Sequence, residues 1–226
     1  MLKQGRYRAI RNLCIGWITH AIHSTDYSER IFRIIIEILL MLVLLIYFYY
    51  WSPFQRDIIA SAIVAFIVSH TIMWLLDGNF WVYVLDSFDW MKNPGIDKIV
   101  SYVKLCRKLF QLGDLTEAIL IFGSMSRGEF HNKSDLDLRI VRRKDSILGI
   151  LCLPVALFLR ALSFFMVLPV DLQVSDSFNF LDRQMRKDEI PIVVYTRDSF
   201  RFRESKNNFC EIEKNPSSVF VIKKNK

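Results

Sequence analysis

Residues 122–138 read FGSMSRGEFHNKSDLDL. Ahead of this stretch, TEAILIF (116–122) is a short β-rich run that stops at Gly-Ser, and MSRGEFHNK has the character of a loop or a first helical turn. SDLDLRIV (134–141) then alternates polar and apolar residues, as a half-buried strand does. Asp135 and Asp137 are two apart, so both carboxylates leave the same face of that strand. Side by side they repel each other unless a cation lies between them, and hard oxygen ligands so arranged suit Mg²⁺ shared with substrate phosphates. Gly123 lets the backbone approach a phosphate closely, and Ser124 offers a hydroxyl and a main-chain N–H. His131 reads as a loop residue.

A second metal, or a proton taken from a nucleophile, calls for a third carboxylate. Asp171 in LPVDLQV (168–174) is the candidate. On a strand beside 134–141 it could face the aspartate pair.

These residues together resemble the signature of the nucleotidyltransferase superfamily that includes DNA polymerase beta, and more closely its minimal nucleotidyltransferase domains. The family pattern is a hydrophobic residue, Gly-Ser, about ten residues, then Asp-hydrophobic-Asp-hydrophobic. Here these are Phe122, Gly123, Ser124, the spacer 125–134, Asp135, Leu136, Asp137 and Leu138. Arg127-Gly128 matches the Arg-Gly step common in that loop, Val170-Asp171-Leu172 matches the later strand, and SFNFLDRQMRKDEIPIVVY echoes the helix and strand that follow. The resemblance implies an α+β fold, a small mixed or antiparallel sheet with flanking helices, over residues 95–197. It implies an NTP substrate and two Mg²⁺ ions, or Mn²⁺ in their place, at Asp135, Asp137 and Asp171, with Asp171 as base for the acceptor. Gly123 and Ser124 would bind the β/γ-phosphates. Arg127 and Lys133 would contact phosphate, with a solvated loop charge as the competing reading for each. Duplex nucleic acid is not expected, because the chain has no room for fingers and a thumb.

Working outward, the 226 residues carry a net charge of +7 and are 52% hydrophobic, with a positive mean hydropathy. Disorder, a collagen-like chain and a disulfide scaffold are excluded. Cys14, Cys106, Cys152 and Cys210 have no metal-site spacing and fit a reducing compartment. The apolar excess is concentrated in residues 31–51 and 58–76, each about as long as the roughly 20 residues that cross a bilayer as a helix. Tyr47, Tyr49, Tyr50, Trp51 and Trp74 stand near run ends, where interfacial aromatics belong. An α-helical transmembrane hairpin over 31–77 is expected, with a buried soluble hairpin as the rival. Arg33 and Glu37 are spaced to pair on one helix face. Within residues 1–33, Lys3, Arg6, Arg8, Arg11, Arg30 and Arg33 outnumber Asp26 and Glu29, whereas Arg56 and Asp57 balance in the connecting loop. The positive-inside rule then places both termini and the catalytic domain in the cytosol as a two-pass membrane protein.

The domain order expected is a basic N-terminal segment (1–30), the hairpin (31–77), an interfacial connector (78–94), the nucleotidyltransferase domain (95–197) and a polar tail (198–226) with a late strand at SSVFVI. One element departs from the family. Residues 147–168, between the strands of Asp137 and Asp171, carry a single charge, Arg160, and taken alone would suit a third membrane span. Two catalytic strands in one sheet forbid their crossover from ending on the far side of a bilayer. The helix is expected to lie along the bilayer or pack on the hairpin, with Arg142, Arg143, Lys144 and Arg160 near anionic headgroups; burial in a homodimer is the alternative. The functional expectation is a membrane-anchored nucleotidyltransferase with a membrane-associated acceptor, a lipid-linked sugar or headgroup or a protein. Its rivals are a nucleotide-binding membrane scaffold and an inactive pseudoenzyme.

Overall fold

A computed structural model describes residues 2–19, 25–51, 57–76, 79–145, 147–184, 189–197 and 209–216. The chain opens with α1 (Leu2–Thr19), α2 (Tyr27–Trp51), α3 (Ile58–Leu76) and α4 (Asn79–Ser87). Helices α2 and α3 pack on each other. These two and the segment Ile147–Phe165 are long and apolar enough to cross a membrane. Ile34, Ile38, Leu42 and Ile46 on α2, with Ile59, Ile63 and Phe66 on α3, are exposed. A continuous apolar surface of this kind marks a membrane or partner contact.

Polar groups fix how the helices meet. His70 on α3 is hydrogen-bonded through Nδ1 to Glu37 on α2 (2.7 Å) and through Nε2 to the Trp17 carbonyl on α1 (2.8 Å). The Trp17 indole N–H donates to Thr71 Oγ1 at 3.1 Å. The expected Arg33–Glu37 pair does not form. Arg33 turns the other way, to Glu29 (2.6 Å), because Glu29 is held in place from outside the hairpin while Glu37 reaches across to α3. Helix α1, in the segment expected only to be basic, packs on α4 and α3.

The second half contains α5 (Ile96–Leu112), β1 (Thr116–Phe122), α6 (Gly123–Ser126), β2 (Leu136–Arg142), a 3₁₀ turn (Ile147–Leu151), α7 (Cys152–Phe165), β3 (Val170–Ser175), α8 (Phe178–Gln184), β4 (Ile192–Thr196) and α9 (Phe209–Lys214). The sheet order is β3-β2-β1-β4; β1 runs antiparallel to both β2 and β4, and β2 runs parallel to β3. This is the α+β architecture expected, a mixed sheet flanked by helices. Period-two alternation assigns the two faces. Leu136, Leu138 and Ile140 of β2 join Val170, Leu172 and Val174 of β3 in the main core with α5, α7 and α9. Asp137, Arg139, Asp171 and Gln173 take the opposite face. Phe209 and Ile212 of α9, from the segment expected to be a polar tail, are buried in that core. The expected late strand at SSVFVI lies outside the described residues.

Helix α7 is the crossover between the two parallel strands. Cys152, Leu153, Ala156 and Leu159 face the core, and the Leu159 carbonyl accepts the Tyr102 hydroxyl of α5 at 3.0 Å. It also packs on α3, and Trp81 of α4 stacks on Phe164 and donates its indole N–H to the Phe164 carbonyl (2.8 Å). Phe158, Phe165, Met166 and Val167 stay exposed. The expectation that Arg160 approaches headgroups is corrected. Arg160 is 1% exposed and donates to the Leu172 carbonyl and to Glu29. Arg142 pairs with Asp176, and Arg143 with Asp145 and Asp114. A guanidinium needs fixed acceptors when buried, and β3 and α2 supply them.

β3 lies at the sheet edge, where unpaired backbone groups invite aggregation unless covered. Side chains cover it here. The Leu172 carbonyl accepts from Arg160, the Val174 N–H donates to Glu29 (2.8 Å), and the Asp176 N–H donates to Asp26 (2.7 Å). Two of these three side chains belong to α2 or the residue preceding it. The first membrane-candidate helix is thereby fastened to a strand of the sheet.

Candidate active site

Three expected residues come together on one face. Asp137 opposes Asp171 in the parallel β2–β3 register and Phe122 in the antiparallel β1–β2 register. Asp135 precedes β2 by one residue, on the side of Asp137. Gly123 begins α6 immediately after β1, with φ +75°. A Cβ there would stand 1.9 Å from Asp137 Oδ2. Only glycine meets both demands, a left-handed backbone and no side chain between the loop and the carboxylate. An open pocket of about 540 Å³ is lined by Ser124, Arg127, Lys133, Asp135 and Asp137, with His131 at its rim.

The pocket loop is held from the connector. Lys133 Nζ donates to the carbonyls of Leu85 (3.0 Å) and Phe88 (2.5 Å), at the C-terminal end of α4. Asn93 Nδ2 donates to the carbonyls of His131 (2.6 Å) and Ser134 (2.9 Å). His131 Nδ1 is bound by the Ser134 hydroxyl (2.8 Å), which fits the loop-residue reading. Lys133 lines the pocket, but its ammonium is engaged on α4, where helix-end carbonyls lack internal partners.

Three side chains without a role in the sequence reading shape the electrostatics. Arg139, buried on β2, donates to Asp171 Oδ2 and to the Asp171 carbonyl, both at 2.7 Å, and lies 3.4 Å from Asp137 Oδ1. Burial works against its charge, but Asp171 and Asp137 outweigh that and hold the guanidinium protonated. Glu189, ahead of β4, accepts from the Gly123 N–H, Ser126 Oγ and Arg127. Asp86 of α4 adds a further negative charge near Asp135. Period two could have found Arg139, two residues beyond Asp137 on the same face. No local signal points to Glu189, which is 66 residues from Gly123.

Burial pushes the Asp137 carboxyl up to about 7, and the Asp135 charge adds to this against Arg139. Asp135 is raised too, first by burial and then by Asp171. A carboxylate cluster in which Asp135 raises Asp137 and Asp171 raises Asp135 is a site short of positive charge, and hard oxygen donors suit Mg²⁺ or Mn²⁺. Ser124 Oγ is buried with no hydrogen-bond partner, an orphan suited to a ligand oxygen. Asp171 is turned to Arg139, and among the described residues no three acidic, histidine or cysteine side chains converge closely enough to hold a metal ion. Asp135 and Asp137 offer the oxygen chemistry that suits a divalent cation, while Asp171 is engaged by Arg139.

Comparison with known proteins bears on the same segment. No curated protein and no solved structure matches the chain significantly. The family model described as nucleotidyltransferase domain matches residues 101–193, from inside α5 to the second residue of β4, a span that includes all three aspartates and the Gly-Ser loop. The matched segment is thus similar to nucleotidyltransferase domains.

Proposed function

We propose that this protein is a membrane-anchored nucleotidyltransferase that moves an NMP group from an NTP to the hydroxyl of a membrane-associated acceptor. The observation that carries the reading is the in-register pairing of Asp137 with Asp171 beside Asp135, over a glycine whose φ of +75° and close approach to Asp137 strain any other residue. The Gly123 N–H, the Ser124 hydroxyl and Arg127 hold the β- and γ-phosphates. Asp135 and Asp137 would hold the divalent cation, with Asp171 completing a two-ion set on the pattern of the family. The bound metal supplies charge neutralisation and in-line orientation of the triphosphate. Asp171 takes the proton of the acceptor hydroxyl. Arg139 donates to Asp171 Oδ2 at 2.7 Å and fixes the position of that carboxylate.

Membrane proximity is supported by Lys133 and Asn93. They tie the catalytic loop to α4 and the connector, which follow α3 directly in the chain. The exposed apolar residues of α7 and Trp90, 71% exposed beyond α4, fit an interface. Both termini and the catalytic domain face the cytosol in this reading. The acceptor is a lipid-linked sugar, a headgroup precursor or a membrane protein side chain.

The test is pyrophosphate release from the purified full chain with each NTP, Mg²⁺ and native membranes. Release that Asp135→Ala abolishes supports transfer. Nucleotide binding without any release, identical in wild type and variant, assigns the protein instead to the scaffold class.

A further inference from the structure

Glu189 lies on the connection between α8 and β4, outside any helix or strand, and its side chain is only 6% exposed. One oxygen, Oε1, collects three donors: the Gly123 N–H at 2.6 Å, the Ser126 hydroxyl at 2.9 Å and Arg127 Nη1 at 3.1 Å. Two of the three belong to residues assigned above to the phosphates. Charged acceptors on backbone N–H and guanidinium groups make the strong class of hydrogen bond. The arrangement is an anion site already filled by an anion of this same chain.

We propose that Glu189 is an internal occupant of the phosphate cradle, which the triphosphate of an incoming nucleotide must displace. The inference rests on the nucleotidyl-transfer reading above and adds a regulation to that site. Three observations favour a displaceable occupant over a permanent brace. The carboxylate adds a negative charge to a face that already holds Asp135, Asp137 and Asp171, so the closed arrangement is electrostatically opposed. Ser124 Oγ is left without a partner beside it, so a single carboxylate satisfies the cradle incompletely, whereas a phosphate brings more oxygens. Leaving the cradle requires movement of a connection and not of a strand, so the sheet survives the exchange. On release, Arg127 passes from carboxylate to phosphate. A ligand without a polyphosphate has too little charge to win the competition, so Glu189 also selects for a triphosphate over a nucleoside.

The experiment measures binding of Mg²⁺–tripolyphosphate and of each NTP to the full chain in detergent, by calorimetry, for wild type, Glu189→Gln and Glu189→Asp. Glu189→Gln is expected to bind about tenfold more tightly, the factor that follows if the open cradle is about a tenth of the wild-type population. Glu189→Asp keeps the charge but is one methylene short of the donors. It is expected to tighten binding as well, and it serves if Glu189→Gln fails to fold. In wild type, tripolyphosphate is expected to speed hydrogen–deuterium exchange at the Glu189 and Ile190 amides, which a permanent brace would not do. Wild-type binding with equal or weaker binding in both variants overturns the displacement while leaving nucleotidyl transfer standing. Absence of binding in all three proteins overturns the cradle itself and the function proposed above.

Discussion

Glu29 Oε2 accepts the backbone N–H of Val174 at 2.8 Å, across 145 residues of sequence. The same carboxylate takes Arg33 and Arg160 on its other oxygen, and each of the three side chains is at most 3% exposed. A buried charge survives only when paired, and here one carboxylate is shared by two guanidiniums while it satisfies a strand edge.

Glu29→Ala should therefore be strongly destabilising, by about 3–5 kcal/mol, because it removes the buried carboxylate shared by Arg33 and Arg160 and leaves the edge amide of Val174 without its acceptor. Denaturant unfolding in detergent measures it. Glu211→Gln, on an exposed face of α9, is the control and should leave the transition in place. If the two variants melt alike, the hairpin is a detachable tether.

Gly123→Ala should cost about 1–3 kcal/mol through its φ of +75° alone. The added methyl also meets Asp137 Oδ2. Loss of Mn²⁺ and nucleotide binding should exceed what the stability loss explains. Calorimetry on the folded variant at low temperature separates the two effects.

Asp137 gives a pH dependence with a defined sign. Its carboxyl is raised to about 7 in the folded chain, against about 4 when unfolded. The folded state therefore binds the extra proton between these values. Its contribution to stability is fully present below about 4 and lost as pH rises through about 7. In EDTA the melting temperature should fall from pH 5 to pH 8, and Asp137→Asn should flatten that fall. Added Mn²⁺ should stabilise more at pH 8 than at pH 5, since proton and cation compete for one carboxylate.

Arg139→Met removes the fixed cation between Asp137 and Asp171. Metal-free stability should drop, and Mn²⁺ affinity, read by electron paramagnetic resonance, should rise, because the carboxylates lose their internal counter-charge. Unchanged Mn²⁺ affinity would mean that Arg139 serves the fold without touching the metal face.

Cys14 and Cys210 are exposed. A membrane-impermeant maleimide should reach them only after cells are opened, whereas Gln55→Cys, between the two apolar runs of the sequence, should react in intact cells on the proposed topology. Reaction of Cys210 in intact cells would reverse the proposed orientation.

Strands, sheet class and the Gly-Ser loop were legible because each is written locally, in alternation and in a glycine at a turn. The positions of Asp135 and Asp137 follow from spacing, and that of Asp171 from its strand. What escaped reading was pairing between distant segments. Arg33 had two carboxylates at helical distance, Glu29 and Glu37, and the spacing could not choose between them. The choice was made by His70 and Val174, brought near only by the completed fold. Arg160 looked like a headgroup ligand for the same reason: its acceptors, the Leu172 carbonyl and Glu29, are local in space and remote in sequence.

Helix α7 bears on how such a chain is made. A cellular insertion machinery that weighs apolar length alone meets three candidate segments in succession and should accept the third as readily as the second. Yet β3, which anchors Arg160 and claims the inner face of α7, is synthesised only after α7 has emerged. Among the partners made before it are α5 and α3, on both of which it packs in the finished protein, and on the proposed membrane reading α3 is by then inserted. On that reading the order of synthesis becomes part of the specification, and transplanting the catalytic half without α2 and α3 should yield a domain that mis-inserts or aggregates at α7.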